Sequence, residues 1–192
     1  MSVEIEIKAW VQNFDGLKKK LDALGEYRGS FKKSDAYWYP KAPVPATCSL
    51  PPTGLRVRKE KDTAPTGAAS RAVHVTYKVK EMRDSMEINN EKEFVVSAAG
   101  VFEDLLACLG LEKRDCKKKK GLSYQIDGIT AELLELPGLG SFIELEILSA
   151  DDKNETVAAA RSRLYKLLAE LGIPETAIES RYYTEMLRSI HK

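Results

Sequence analysis

The chain has 192 residues, 43% of them apolar and 31% charged, which excludes a disordered segment and is enough to bury a sizeable core. Its 30 basic and 29 acidic residues leave a net charge of +1, which argues against a generic nucleic-acid binder. No apolar run is long enough to span a bilayer, so neither a nucleic acid nor a membrane is an expected partner.

Val3-Glu4-Ile5-Glu6-Ile7-Lys8 alternates with a period of two and reads as a strand, with Glu4, Glu6 and Lys8 on one face and Val3, Ile5 and Ile7 on the other. Phe14, Leu17, Leu21 and Leu24 then recur at helical spacing between Asn13 and Gly25, and Lys18, Lys19 and Lys20 fall on the wet face. Ser34 to Tyr39 is rich in strand-favouring aromatics, and Pro40 ends it. Pro40 to Gly54 carries prolines and no periodicity, so it reads as a loop. Leu55 to Lys59 and Val73 to Lys80 alternate again, on either side of a polar loop with Pro65 and Gly67. Glu91 to Val96 is a further strand with Glu91 and Glu93 on one face.

Ala98 to Gly110 reads as a helix through Val101, Leu105, Leu106 and Leu109. The run Lys117 to Lys120 leads into a strand at Leu122–Ile126, so alternate lysines point to one side. Ile129 to Leu136 is a strand, Pro137 to Gly140 a turn, and Phe142 to Leu148 repeats the opening pattern with Glu144 and Glu146. Asp151 or Asp152 caps a helix running toward Gly172, and a last helix lies near Tyr182 to Ile190. Without a long linker or a repeat, residues 1–192 are expected to form a single domain. Cys48, Cys108 and Cys116 are odd in number and widely spaced, which points to a reducing compartment. The alternating acidic front is unlike a signal peptide, and a cytoplasmic protein is expected. With only His74 and His191, a zinc site would need unusual ligands.

The strands share one property: an apolar face backed by a face of a single dominant charge. Glu4 with Glu6, Glu91 with Glu93 and Glu144 with Glu146 supply acid. Arg56 with Arg58, Lys78 with Lys80 and part of the Lys117–Lys120 run supply base. Either an open sheet leaves this face in water, or the sheet curls so that the charged face lines an interior. A charged interior is costly unless a ligand carrying both signs fills it. A magnesium polyphosphate is such a ligand: carboxylates suit the hard cation, and guanidinium and ammonium groups suit phosphate oxygens.

The Glu4-x-Glu6-x-Lys8 start resembles the signature of the CYTH superfamily, the triphosphate tunnel metalloenzymes, which include class IV adenylyl cyclases and thiamine or inorganic triphosphatases. The likeness continues through Leu55-Arg56-Val57-Arg58, Thr76-Tyr77-Lys78, Glu91-x-Glu93 and Leu139-Gly140-Ser141-Phe142-Ile143-Glu144-Leu145-Glu146, in the expected order. It implies a mainly β, α+β fold, an antiparallel tunnel of about eight strands with a charged interior and helices packed outside. It implies that Glu4, Glu6, Glu144 and Glu146, joined by Glu91 and Glu93, hold Mg²⁺ or Mn²⁺. Lys8, Arg56, Arg58 and Lys78 would grip a triphosphate, with Lys8, Arg56 and Arg58 in catalytic roles and Lys80 added by strand alternation.

The chain departs from the family pattern twice. The family carries a lysine and an arginine on the strand before the Gly-x-Phe-x-Glu-x-Glu segment; here the lysine run stands, and Lys118 with Lys120 is the pair chosen for phosphate. The family also tends to place an aspartate where this chain has Leu134, and Glu132, on the same face, is the expected substitute carboxylate. The resemblance leans toward a class IV adenylyl cyclase-like enzyme that converts ATP to cyclic AMP and pyrophosphate. The lean rests on Lys8, on Asp35-Ala36-Tyr37-Trp38-Tyr39 and on the tail from Ser180 to Leu187. A triphosphatase acting on inorganic, thiamine or nucleoside triphosphate is the alternative, and a non-catalytic polyphosphate-binding module the third. ATP, thiamine triphosphate and tripolyphosphate are thus the expected small-molecule partners, and a second copy of the chain is an allowed one.

Overall fold

The computed structural model describes residues 3–42, 54–83 and 86–190, the side chains of residues 78–80 and 90 excepted. Much of the expected loop from Pro40 to Gly54, with Cys48, lies outside the described residues. The elements follow in the order β1 (Val3–Val11), α1 (Phe14–Leu24), β2 (Glu26–Pro40), β3 (Leu55–Thr63), β4 (Ala69–Arg83) and β5 (Met86–Val95). Then come α2 (Ala99–Cys108), β6 (Leu111–Ile126), β7 (Ile129–Leu136), β8 (Gly140–Ser149), α3 (Asn154–Glu170) and α4 (Tyr183–Ile190). Among the described residues the strands join in a closed barrel of order β1-β5-β4-β3-β2-β6-β7-β8, with every pairing antiparallel.

The largest core lies outside the strands, not within them. Ile5 and Ile7 of β1, Tyr124 of β6, Leu133 of β7 and Ile143 and Leu145 of β8 are all but inaccessible. They pack beneath Leu17 and Leu21 of α1 and Leu164 and Leu168 of α3. Both helices present the apolar stripe read from the sequence, and burying such a stripe is what holds a surface helix in place. Asn13 caps α1 by accepting the Gly16 N–H at 2.8 Å. A smaller cluster joins Leu106 of α2 to Trp38 and Val57. A third joins Tyr183 and Met186 of α4 to Phe31, Leu134 and Phe142.

Several strands run beyond their expected bounds, β2 and β6 the furthest. β2 covers 15 residues and β6 covers 16, and the lysine run lies inside β6 rather than ahead of it. Their extra length pairs mostly with each other, from Glu26↔Gln125 to Pro40↔Leu111, through register shifts at Tyr27/Gly29 and Tyr37/Trp38. Such irregularities bend a strand and interrupt the simple alternation that marks it in sequence. The β6–β7 hairpin turns on Asp127 and Gly128, both at positive φ (46° and 77°), between the paired Ile126 and Ile129. That is the backbone demanded by a two-residue turn matched to strand twist. α3 starts at Asn154, after the acidic pair; Asp151 still serves its first turn, accepting the Lys153 N–H and the Thr156 hydroxyl at 3.2 and 2.7 Å.

Candidate active site

With the apolar faces of the strands turned out toward the helices, the alternate positions must face inward. The pairing carries this parity around the molecule. Glu6 lies opposite Glu146, Lys8 opposite Glu144, and Glu144 opposite Glu132. Tyr37 lies opposite Arg56, and Arg56 opposite Thr76. These side chains line one cavity of about 540 Å³.

The acidic side of the cavity is built by β1 and β8. Glu4, Glu6 and Glu146 bring carboxylate oxygens within 4.8 Å of one another. Three hard oxygen donors of this kind, with none from sulfur or imidazole, fit Mg²⁺ or Mn²⁺. Glu91, Glu93, Glu132 and Glu144 stand outside this group of three. Glu91 lies 3.9 Å from Arg56, and Glu93 accepts from Thr76 and contacts His74, both at 2.8 Å. Glu144 accepts from Lys119 at 2.6 Å, and Glu132 from Lys33 and Lys119 at 2.6 and 3.1 Å. Burial would raise the Glu144 and Glu132 carboxyls, but the adjacent lysines outweigh it and hold both below the ordinary carboxylate range. Glu132 does face the cavity, as expected of the substitute carboxylate, and is bound there to two ammonium groups.

The basic side comes from β1, β2, β3 and β6. Lys8 is buried and meets Glu87 only at 4.0 Å. Arg56 donates to Thr76 at 2.9 Å, while its buried Nε–H finds no hydrogen-bond partner among the described residues. A buried guanidinium donor left open in this way is costly unless a ligand completes it. Arg58 is locked to Asp35 through Nε and Nη2 at 2.7 and 3.0 Å. The side chains of Lys78 and Lys80 lie outside the described residues.

The choice of Lys118 and Lys120 is corrected by the register of β6. Both are exposed, and Lys120 forms a surface ion pair with Glu135 at 2.8 Å. Lys117 and Lys119 line the cavity instead. The physical reason is parity: Lys118 and Lys120 are in phase with Tyr124 and Ile126, which are buried under the helices, so they share the outer face. That signal stands in the sequence as the alternation of Leu122, Tyr124 and Ile126, continued backward into the lysine run. Burial pulls Lys117 down against the attraction of Asp35, and with Lys119 and Arg58 beside it the ammonium comes to about 8. Lys119 is also desolvated, yet Glu132 and Glu144 raise it above the ordinary lysine range.

Sequence reasoning gave no site role to Lys33, Glu87 or Asp35, the last named only within the Asp35–Tyr39 segment, because a single charge on a strand carries no pattern. The cavity has an aromatic side as well, formed by Tyr37 and Tyr39 of β2 with Tyr182 and Tyr183 at the start of α4. Arg188 of α4 pairs with Asp115 of β6, and burial together with Asp115 pushes Tyr39 up to about 12. The segment before α4 is tied to β1 by the Glu179 N–H, which donates to the Lys8 carbonyl at 2.9 Å.

The CYTH domain model matches residues 2–183. The chain belongs to the CYTH family. Its members are in general enzymes of the triphosphatase or cyclase kind, dependent on a divalent metal, and the acidic group at Glu4, Glu6 and Glu146 agrees with that chemistry. Among solved structures, the CYTH chain described here is similar to the PH1819 protein of Pyrococcus horikoshii OT3, with a TM-score of 0.78 and 24% identity over 97% of this chain and 98% of that one. A "putative adenylate cyclase" of Vibrio parahaemolyticus gives 0.71 and 21% over 96% and 97%. A Hippeastrum protein described as a "putative adenylyl cyclase" that "reveals a dominant" triphosphatase activity gives 0.62 and 14% over 98% and 96%. At these identities the likeness establishes the fold. A search of the curated proteins gives no match. Among the described residues no helix is long and apolar enough to cross a membrane.

Proposed function

We propose that this CYTH chain is a metal-dependent triphosphatase, with Glu4, Glu6 and Glu146 as the metal ligands. The observation that carries the reading is the convergence, in one cavity, of that carboxylate group and the cations Lys8, Arg56, Arg58, Lys117 and Lys119. A bare anion site needs only the bases, and a bare metal site only the acids. A bound Mg²⁺ or Mn²⁺ supplies a Lewis acid that polarises a phosphoryl oxygen and offsets charge in the transition state. Arg56, through its open Nε–H, and Lys8 bind phosphate oxygens; Arg58 and Lys119, each held by a carboxylate, meet the charge that gathers on the departing phosphate. The cations and carboxylates thus provide a grip on the triphosphate and its metal, which is what hydrolysis by a positioned water requires.

A second reading, adenylyl cyclase, is favoured by Tyr37, Tyr39 and Tyr182, which offer an aromatic ring a stacking surface in the same cavity. Cyclisation further requires a group that orients the ribose 3′-hydroxyl toward the α-phosphorus. The name of the Vibrio relative supports cyclase; that of the Hippeastrum relative supports hydrolysis. The test is phosphorus NMR of the protein with Mg²⁺ or Mn²⁺ and either tripolyphosphate or ATP. Orthophosphate release is the expected result. Cyclic AMP with pyrophosphate would establish the second reading, and tight binding without any product would leave a binding module.

A further inference from the structure

Asp35 stands in a place where a carboxylate works against an anionic ligand. It lies on β2 between β3 and β6, directly opposite Arg58 on one side and Lys117 on the other. Only 2% of it is accessible. Both its oxygens are engaged: Oδ1 accepts from Arg58 Nε at 2.7 Å, Oδ2 accepts from Arg58 Nη2 at 3.0 Å, and Lys117 Nζ lies 3.6 Å from Oδ2. Burial would raise this carboxyl, but the Arg58 charge and its hydrogen bonds, with Lys117, hold it well below the usual range. Asp35 is therefore ionised, and its charge opposes a polyphosphate in the cavity.

The geometry supplies a reason for keeping it. A two-bond carboxylate–guanidinium pair fixes the plane of the guanidinium, not merely its position. Arg58 thereby spends its Nε edge on Asp35 and is oriented with its remaining donors away from that carboxylate. Lys117, whose flexible stem would otherwise let the ammonium wander, is drawn toward the same acid.

We propose that Asp35 is a positioning residue for triphosphate turnover, aiming Arg58 and Lys117 together and accepting a weaker grip on the anion in exchange. The inference rests on the triphosphatase reading of the cavity. It predicts a split that a purely architectural role would not produce. Aimed cations matter most when charge shifts toward the departing phosphate, so losing the aim lowers kcat. Removing a negative charge from just behind the cavity's cations leaves ground-state affinity unchanged or improves it.

The experiment compares the wild-type chain with Asp35→Asn and Asp35→Glu. Tripolyphosphate affinity is measured calorimetrically with Mg²⁺, kcat and KM by phosphate release, and folding by circular dichroism. Asp35→Asn is expected to lose about tenfold or more in kcat while the tripolyphosphate Kd stays level or tightens by up to about threefold. Asp35→Glu keeps the charge at a displaced position and should recover part of kcat at wild-type affinity. If Asp35→Asn is unfolded, Asp35→Glu carries the test through an intermediate kcat at wild-type Kd. The proposal is overturned if a folded variant keeps wild-type kcat, or if kcat and affinity fall together. If the wild-type chain neither binds nor cleaves tripolyphosphate, the triphosphatase reading fails, and this inference goes with it; a wild type that works beside a variant without the split sinks this inference alone.

Discussion

At the level of single residues, the cavity concentrates ionisable groups whose behaviour is measurable. Lys117 is held near 8, below the value of about 10.4 expected in the unfolded chain. Between those two values the unfolded chain binds more protons than the folded one, so Lys117 favours folding increasingly as pH rises through that window. Below about 8 it is charged in both states and its full burial cost is present. Lys117→Met should therefore raise stability toward urea at pH 7, with the gain fading as pH climbs toward 10.4; an equal gain at pH 7 and pH 10 would contradict the cause assigned. The carboxylate group gives a second test. Glu6→Gln or Glu146→Gln should lower Mn²⁺ affinity by about tenfold or more. Either should leave the metal-free protein as stable as wild type or slightly more so, because it removes a like charge from a crowded group. Strong destabilisation in EDTA would count against a metal role. Glu4, Glu6, Arg56 and Arg58 were legible in the sequence because each pair repeats a charge at a spacing of two on a strand with an apolar back. Asp35 was not, since its meaning lies in two partners on different strands, and no one-dimensional pattern reports such a pairing.

At the level of elements, β6 provides the sharpest case. Its lysines differ by one position in sequence and by the full thickness of the sheet in space. Lys119→Gln should abolish turnover, whereas Lys118→Gln and Lys120→Gln should leave kcat and KM within about twofold. Activity lost with Lys118→Gln and kept with Lys119→Gln would reverse the register. The helices and the cores of the strands could be read from hydrophobic period alone, but the ends of β2 and β6 could not, because register shifts interrupt the alternation there. α2 shows a related contrast within one helix. Leu106 is buried against Trp38 and Val57, while Val101, five residues earlier and about 140° away around the helix, is 73% exposed. Leu106→Ala should cost roughly 2–5 kcal/mol and Val101→Ala within about 0.5 kcal/mol, as read by chemical denaturation. Both leucine and valine looked equivalent in sequence, where periodicity marks an apolar side of a helix without stating how far the cover extends.

At the level of the whole molecule, the barrel gathers acid and base into one cavity, and a ligand of only one sign satisfies only one of the two sets. Mg²⁺ and tripolyphosphate together should raise the melting temperature by more than the sum of their separate effects, since each improves the field for the other. Additive shifts would point to two independent sites. The fold class was legible because charge and apolarity alternate on strand after strand. The cavity's neighbours were not, because the order in which strands meet is set by pairing across the whole chain.

One such pairing has a consequence for how the protein is made. β1 is made before every other described strand, yet its neighbours are β5 and β8, and Val3 finds Ser149 only when the last described strand exists. Glu4 and Glu6 therefore leave the ribosome long before Glu146, and the β8 edge of β1 waits unpaired even after β5 is available. Long-range closure of this kind is entropically slow. The carboxylate group is assembled by the final seam, so a refolding protein should regain its ability to take up Mn²⁺ no earlier than it regains β1–β8 contact.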